Sequence, residues 1–250
     1  MGRAIVITSG KGGTGKSMFT VNMGAELAMR GYGVVLVDMD NGLRNLDLYL
    51  GLENKVVYNA VDVISGMCRI RQALVRDKRF KSMYLMAASP ALDDRDITPL
   101  HMVVLVEKLK NMFDYVIIDS PAGIGDPLIM AAAGADQAVI VSEGEPASLR
   151  DADSVDRLLR ELGIENRSCV INKVDADLMS MGVVPSLSDI ARQLRLKING
   201  FIQYDNNIFI ATNQGVPIVL KRGTYIEKNF RKITDRIVKD GGPADGGEEV

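Results

Sequence analysis

Tryptophan is absent from the chain, histidine occurs once and cysteine twice among 250 residues. The single histidine, His101, stands beside Met102 and Val103 in an apolar stretch and is read as structural, because one imidazole with no neighbouring nucleophile makes no catalytic triad. Cys68 and Cys169 are too far apart for a C-x-x-C pair. A zinc site is therefore excluded, and two free thiols in a reducing compartment are expected. Charge of one sign is not in excess: 30 Lys and Arg against 32 Asp and Glu leave a net charge of −2, so no global field draws the chain onto nucleic acid or anionic lipid. The basic cluster Arg69, Arg71, Arg76, Lys78, Arg79 and Lys81 is read as solvated charge. No apolar run approaches the roughly 18 residues of a membrane span. The opening residues 1–6 lead straight into a strand-like run, so no cleavable leader is expected there. What is left is ordinary soluble composition, 47% hydrophobic and 25% charged, in a chain long enough to bury a sizeable core.

Short β-branched runs alternate with longer segments of helical period. The strand candidates are 4–9, 34–38, 83–87, 115–119, 138–142, 169–172 and 198–202. Helix candidates fall at about 16–30, 56–65, 100–112, 148–162, 187–194 and 224–238. The strand runs are almost continuously apolar, as in parallel strands covered on both faces. Together they predict a single-domain α/β fold, a mostly parallel sheet flanked by helices on both faces. No linker interrupts residues 1–239. The glycine-rich acidic stretch 240–250 carries almost nothing to bury and is expected to be disordered.

Residues 10–17 read Gly10-Lys11-Gly12-Gly13-Thr14-Gly15-Lys16-Ser17. This is G-x-x-x-x-G-K-[ST] placed after a strand and before a helix, which makes the chain a P-loop NTPase candidate. The glycines free the backbone to aim successive N–H groups at phosphate oxygens, and the helix N-terminus that follows favours the anion. Lys16 is positioned for the β- and γ-phosphates, the Ser17 hydroxyl for Mg²⁺, and Met18 for the nucleotide above the first helical turn. Lys11 adds a second cation inside the loop.

Phosphoryl transfer needs carboxylates on the magnesium side and a group that orients the attacking water. Asp119 ends the strand Tyr115–Asp119 in the manner of a Walker B strand, at the edge where open α/β sheets bind ligands. Asp38 and Asp40 follow the second strand and fall on one side if that strand continues. Asp38 and Asp119 are assigned to the metal with Ser17, and Asp40 to the water. The segment Ser120–Gly125 is a natural switch loop.

The loop with its second lysine resembles the deviant Walker A motif of the MinD/ParA family of ATPases. The resemblance continues through Gly42-Leu43-Arg44-Asn45-Leu46-Asp47-Leu48, Val56-Val57-Tyr58, Asp119–Ile124, Ser148–Asp153 and Ala211–Pro217. It covers about residues 3–238, and the Leu43–Leu48 run is closer to the MinD branch than to partition or flagellar-number members. That resemblance implies a face-to-face homodimer enclosing two ATP molecules, with Lys11 reaching the partner's phosphates and Asp40 orienting water. For the MinD branch it further implies slow hydrolysis, a MinC-like inhibitor and a MinE-like activator as partners, with Arg44 and Ser148–Asp153 near the partner surface. The location implied is cytoplasmic, at the inner face of the membrane.

Two departures stand out. MinD proteins end in an amphipathic membrane helix, whereas the last amphipathic segment here, Tyr225–Val238, aligns with the family's final core helix. Its stripe Ile226, Phe230, Ile233 and Ile237 suits packing on the sheet more than insertion into lipid. In addition, Asn172-Lys173-Val174-Asp175 spells the guanine-reading N-K-x-D of GTPases, although in this family an asparagine there reads adenine. Gln203 stands at the family's base-side proline, next to Tyr204 and Asp205, and these residues are assigned with Asn172 to the base edge. ATP is favoured and GTP is kept open. The alternatives carried forward are a ParA-like or flagellar-number positioning ATPase, or a metal- or cofactor-insertion ATPase, against which the unpaired cysteines count.

Overall fold

The first strand, β1 (Arg3–Thr8), is buried along its whole length, and its alternation sorts side chains onto two cores. Ile5 and Ile7 face one apolar cluster and Ala4 and Val6 the other, as period-two geometry requires of a strand covered on both sides. The structure, a computed structural model, describes residues 1–40, 44–89 and 97–242. Residues 240–242 aside, the 240–250 tail lies outside the described residues, as do Gly42 and Leu43.

From β1 the chain enters α1 (Lys16–Met29), then β2 (Val34–Asp38), α2 (Leu46–Leu50), α3 (Ala60–Ile64), α4 (Ile70–Ala73), β3 (Leu74–Arg76) and β4 (Met83–Met86). It continues through α5 (Pro99–Lys110), β5 (Tyr115–Asp119), α6 (Asp126–Ala132), β6 (Gln137–Glu143), α7 (Pro146–Glu161) and β7 (Asn166–Val174). The last elements are α8 (Ala176–Ser180), α9 (Leu187–Gln193), β8 (Lys197–Gln203), α10 (Asn206–Asn213) and α11 (Tyr225–Asp240). The strands form one sheet in the order β3-β4-β2-β5-β1-β6-β7-β8. All pairings are parallel except β3 with β4. This is the predicted α/β architecture. Because the strands run parallel, the loops leaving β1, β2, β5 and β7 gather at one edge, where such sheets bind ligands.

One face of the sheet is covered by α1, α2 and α11 through residues such as Phe19, Met23, Leu46 and Phe230, and the other by α5, α6 and α7 through Met102, Leu105, Leu128 and Leu149. The stripe of α11 is fully used in this packing. Phe230 and Ile237 are 0% exposed, and Phe230 stacks on Phe19 at a centroid distance of 6.0 Å. The core reading of Tyr225–Val238 is therefore the observed one, and no described helix is long and apolar enough to cross a membrane.

Several boundaries differ from expectation. The 56–65 helix begins only at Ala60, where Asn59 caps it by accepting from the Asp62 amide. Asp240 belongs to α11 and not to the tail. His101 is structural, but as an exposed cap: its Nδ1 accepts from the Thr98 amide at 3.1 Å at the start of α5. The antiparallel strand β3 and the short helices α2, α4, α6, α8 and α10 have too few residues to show a period.

Candidate nucleotide-binding site

The loop from Ser9 to Gly15 turns sharply because Gly13 and Gly15 adopt φ of 81° and 92°, a region that costs other residues energy. At Gly12 and Gly13 an added Cβ would meet nothing within 4 Å, so this stretch of backbone borders open space. Lys16, Ser17 and Thr20 follow on the first turn and a half of α1, and all three side chains converge on one carboxylate from β5. Lys16 Nζ lies 3.2 Å from Asp119 Oδ1, Ser17 Oγ donates to Asp119 Oδ2 at 2.6 Å, and the Thr20 hydroxyl lies 3.0 Å from Asp119 Oδ1. Asp119 is 0% exposed.

Asp38 stands beside Asp119 in the β2–β5 register. Its Oδ1 accepts from the Asp40 amide at 3.0 Å, and its Oδ2 from the Asn45 and Leu46 amides at 3.1 Å each. Burial pushes its carboxyl up, and the neighbouring Asp119 charge adds to this, while the Asp40 and Leu46 amides and Lys16 oppose it. β2 ends at Asp38, so the extended-strand geometry expected to carry Asp40 on the same side does not apply. Asp40 instead sits on the loop beyond, where it lines a cavity of about 360 Å³ together with Gly12–Met18, Tyr49, Pro121 and Ala122. Burial and Asp119 raise its carboxyl and Lys16 lowers it, for a net rise.

The segment after β7 clamps the loop from the other side. Asn172 Nδ2 donates to the Thr14 carbonyl at 2.7 Å, and Lys173 Nζ donates to the Gly13 carbonyl at 2.7 Å and to Glu143 Oε1 at 2.9 Å. Lys173 takes a left-handed φ of 54° to reach. Lys11 pairs with Glu143 at 3.4 Å and Glu145 at 3.3 Å in its own chain. Burial works against the Lys11 charge, but the two glutamates outweigh it and raise the ammonium. Burial likewise works against Glu143, and Lys173 and Lys11 outweigh it, holding that carboxyl low. Asp175 caps α8, accepting from the Asp177 and Leu178 amides at 3.0 Å each. N-K-x-D is thus used here as a loop clamp plus a helix cap.

A second cavity of about 260 Å³ shares Gly13, Gly15, Met18 and Tyr49 with the first and extends past Asn172 to Gln203, Tyr204 and Asp205, with Ile208, Phe209 and Thr212 of α10 as its wall. Asp205 is largely occupied: it caps α10 through the Asn207 amide at 2.7 Å and accepts from the Tyr225 hydroxyl. That hydroxyl bond, with the amide, holds its carboxyl low. The sequence-assigned residues Gly12–Met18, Asp40, Asn172 and Gln203–Asp205 thus border one continuous cleft, whereas Lys11 is turned to Glu143 and Glu145 and lines neither cavity. Gly10 lies at its rim against Asp151, where an added Cβ would come within 2.5 Å of the Asp151 Cβ. Asp38 and Asp119 lie beneath the loop. Nothing in local spacing marks Thr20, Tyr49, Glu143 or Phe209, and N-K-x-D marks Lys173 without showing its reach to Gly13. A larger groove of about 540 Å³ beside α7, lined by Arg150, Arg157, Arg160 and Arg195, has no glycine loop and lies apart from this chemistry.

A family profile described as the CobQ/CobB/MinD/ParA nucleotide binding domain matches residues 5–218. The chain belongs to the MinD/ParA family. Among curated proteins, the septum site-determining protein MinD of Bacillus subtilis is 42% identical over 245 residues, covering 97% of this chain and 91% of that one. Among solved structures, the MinC:MinD cell division protein complex of Aquifex aeolicus superimposes with a TM-score of 0.87 at 38% identity, covering 95% of this chain and 96% of that one. MinD of Pyrococcus horikoshii complexed with Mg-ADP gives 0.85 at 25% identity, covering 98% and 100%. The MinD-like character read from the Leu43–Leu48 run agrees with these relatives, and the family uses nucleotide with Mg²⁺, as the cleft chemistry anticipates.

Proposed function

We propose that this MinD/ParA protein is a MinD-type ATPase switch. It binds Mg-ATP, dimerises in the ATP state, hydrolyses ATP slowly and takes part in selecting the division septum site. Residues 1–239 act as its single ATPase domain. The observation that carries the reading is the convergence of Lys16, Ser17 and Thr20 on the buried Asp119 directly beneath open glycine backbone.

The donor set fits the group it is asked to hold. Ser17 and Asp119 offer hard oxygens suited to magnesium, with Asp38 behind them fixing the loop that bears Asp40. When bound, the magnesium ion neutralises charge on the phosphate oxygens. The backbone amides of Gly12–Gly15 and the Lys16 ammonium bind the phosphates. Asp40 orients the attacking water. The base rests between Met18 and the Ile208–Phe209 wall, with Asn172, Gln203, Tyr204 and Asp205 at its edge. The use of Asp175 as a helix cap supports ATP over GTP. Lys11 leaves its own Glu143 and Glu145 to reach the phosphates of the second protomer. By analogy with the MinC:MinD complex, a MinC-like inhibitor docks on the dimer, and a MinE-like activator triggers release. The protein works in the cytoplasm at the inner face of the membrane. Because the α11 stripe is buried, that stripe is not the surface that contacts lipid.

Equilibrium binding of ATP, ADP and GTP, run beside co-sedimentation with anionic vesicles, tests this. Wild type is expected to bind Mg-ATP, and Lys16→Ala to lose it. Equal binding by the two proteins would contradict the assignment of the cleft. ATP-dependent pelleting would place an anchor on the chain itself.

A further inference from the structure

Arg79 sits in the turn between β3 and β4, inside a stretch whose charges read from sequence as solvated. The structure gives it a different place. Its Nε and Nη2 donate to Asp77 Oδ1 at 2.9 Å and Oδ2 at 2.6 Å, and Asp77 is itself only 2% exposed. The remaining reach of the guanidinium goes to two backbone carbonyls far away in sequence. Nη1 donates to Gly215 O at 2.8 Å, and Nη2 to Leu50 O at 2.6 Å.

Those carbonyls mark the ends of the two elements that flank the nucleotide cleft. Leu50 closes α2, whose start is held on Asp38 through the Asn45 and Leu46 amides. α2 carries Tyr49, which borders both cavities. Gly215 follows α10, which carries Ile208, Phe209 and Thr212 of the base-side wall. The two ends meet backbone to backbone: a Cβ on Gly215, which has φ of 65°, would lie 2.8 Å from the Gly51 nitrogen and 3.1 Å from Leu48 O. Arg79 closes this junction from a third element, the hairpin at the sheet edge. A planar fork with five fixed donors can hold one carboxylate and two carbonyls together, and a lysine cannot.

We infer that Arg79 is a positioning residue for nucleotide binding: anchored on Asp77, it ties the end of α2 to the end of α10 and so fixes the gap between the two walls of the cleft. The inference rests on the reading of that cleft as the nucleotide site. Arg79 touches none of Lys16, Asp40 or Asp119, so its removal acts on affinity and not on the chemical step.

The test measures ATP hydrolysis, ADP affinity and melting temperature for full-length wild type, Arg79→Ala, Arg79→Lys and a control, Arg30→Ala. Arg30 joins α1 to α11 through Glu26, Asp235 and the Arg231 carbonyl, remote from the cleft. For Arg79→Ala, KM for ATP and Kd for ADP are expected to rise about tenfold, equivalent to about 1.4 kcal/mol, with kcat near the wild-type value. Arg79→Lys should recover only part of the affinity. Arg30→Ala should lower the melting temperature and leave KM alone. Wild-type KM and Kd in Arg79→Ala would overturn the inference whatever its melting temperature, and so would an equal rise in Arg30→Ala. If Arg79→Ala does not fold, Arg79→Lys decides by the same criterion. Failure of wild type to bind ATP or ADP would instead overturn the nucleotide reading of the cleft, and this inference with it.

Discussion

Gly15→Ala places a methyl group where the structure has no room for one. Gly15 holds φ of 92°, and an added Cβ would lie 2.2 Å from Nδ2 of Asn172, the atom that donates to Thr14 O. A non-glycine residue in that left-handed region costs roughly 1–2 kcal/mol. Displacing Asn172 leaves the buried Thr14 carbonyl without its partner, for about 1–3 kcal/mol more. The single variant should therefore lose about 2–5 kcal/mol, the sum of those two costs. Asn172→Ala should lose only the hydrogen-bond share. In the double variant the obstacle is gone, so Gly15→Ala then adds just the backbone cost, and the double variant should be about as stable as Gly15→Ala alone. Urea unfolding of the four proteins with a common m-value reads the cycle directly. A coupling of about 1–3 kcal/mol is expected, the size typical of residues in contact. Additive losses would show that Asn172 does not sit against the loop, and the clamp on Gly13 and Thr14 would fall.

Phe230→Ala removes a fully buried ring stacked on Phe19 and should cost about 3–5 kcal/mol in chemical denaturation; a negligible loss would mean that α11 is not part of the core. Burial raises the Cys169 thiol from 9.0 to about 12, so it stays protonated, and therefore unreactive, until strongly alkaline pH. Near pH 8 a native chain should take up one equivalent of alkylating reagent, at the half-buried Cys68, and two after unfolding; rapid labelling of both in the native state would contradict the packing. Asp40→Ala should retain Mg-ATP and lose hydrolysis, accumulating dimer; normal turnover would remove Asp40 from the water-orienting role.

The phosphate loop was legible because its chemistry is contiguous: four glycines, two lysines and a serine within eight positions specify the turn, the charge and the metal-side hydroxyl together. The long elements were legible for a related reason, since buried strands and amphipathic helices carry their period in every few residues. What escaped were side chains whose meaning lies in distant partners. Lys173 serves the loop by reaching Gly13, 160 positions away, and Glu143 gathers Lys173 and Lys11. Tyr49 and Phe209 border the cleft from helices of 5 and 8 residues, too short to show a face. Arg79 reads as one more surface charge until the fold brings Leu50 and Gly215 to it. For Asp40 the period-two rule held only on condition that the strand continued, and β2 ends at Asp38, so spacing alone could not place it.

The proposed switch requires an ATP-dependent dimer with Lys11 acting across it. Light scattering on eluting peaks gives the mass of wild type and Lys11→Ala in Mg-ATP and in Mg-ADP. Wild type should double its mass in Mg-ATP alone, while Lys11→Ala stays monomeric although it still binds nucleotide. A wild-type monomer saturated with ATP, or a Lys11→Ala dimer indistinguishable from wild type, would contradict it.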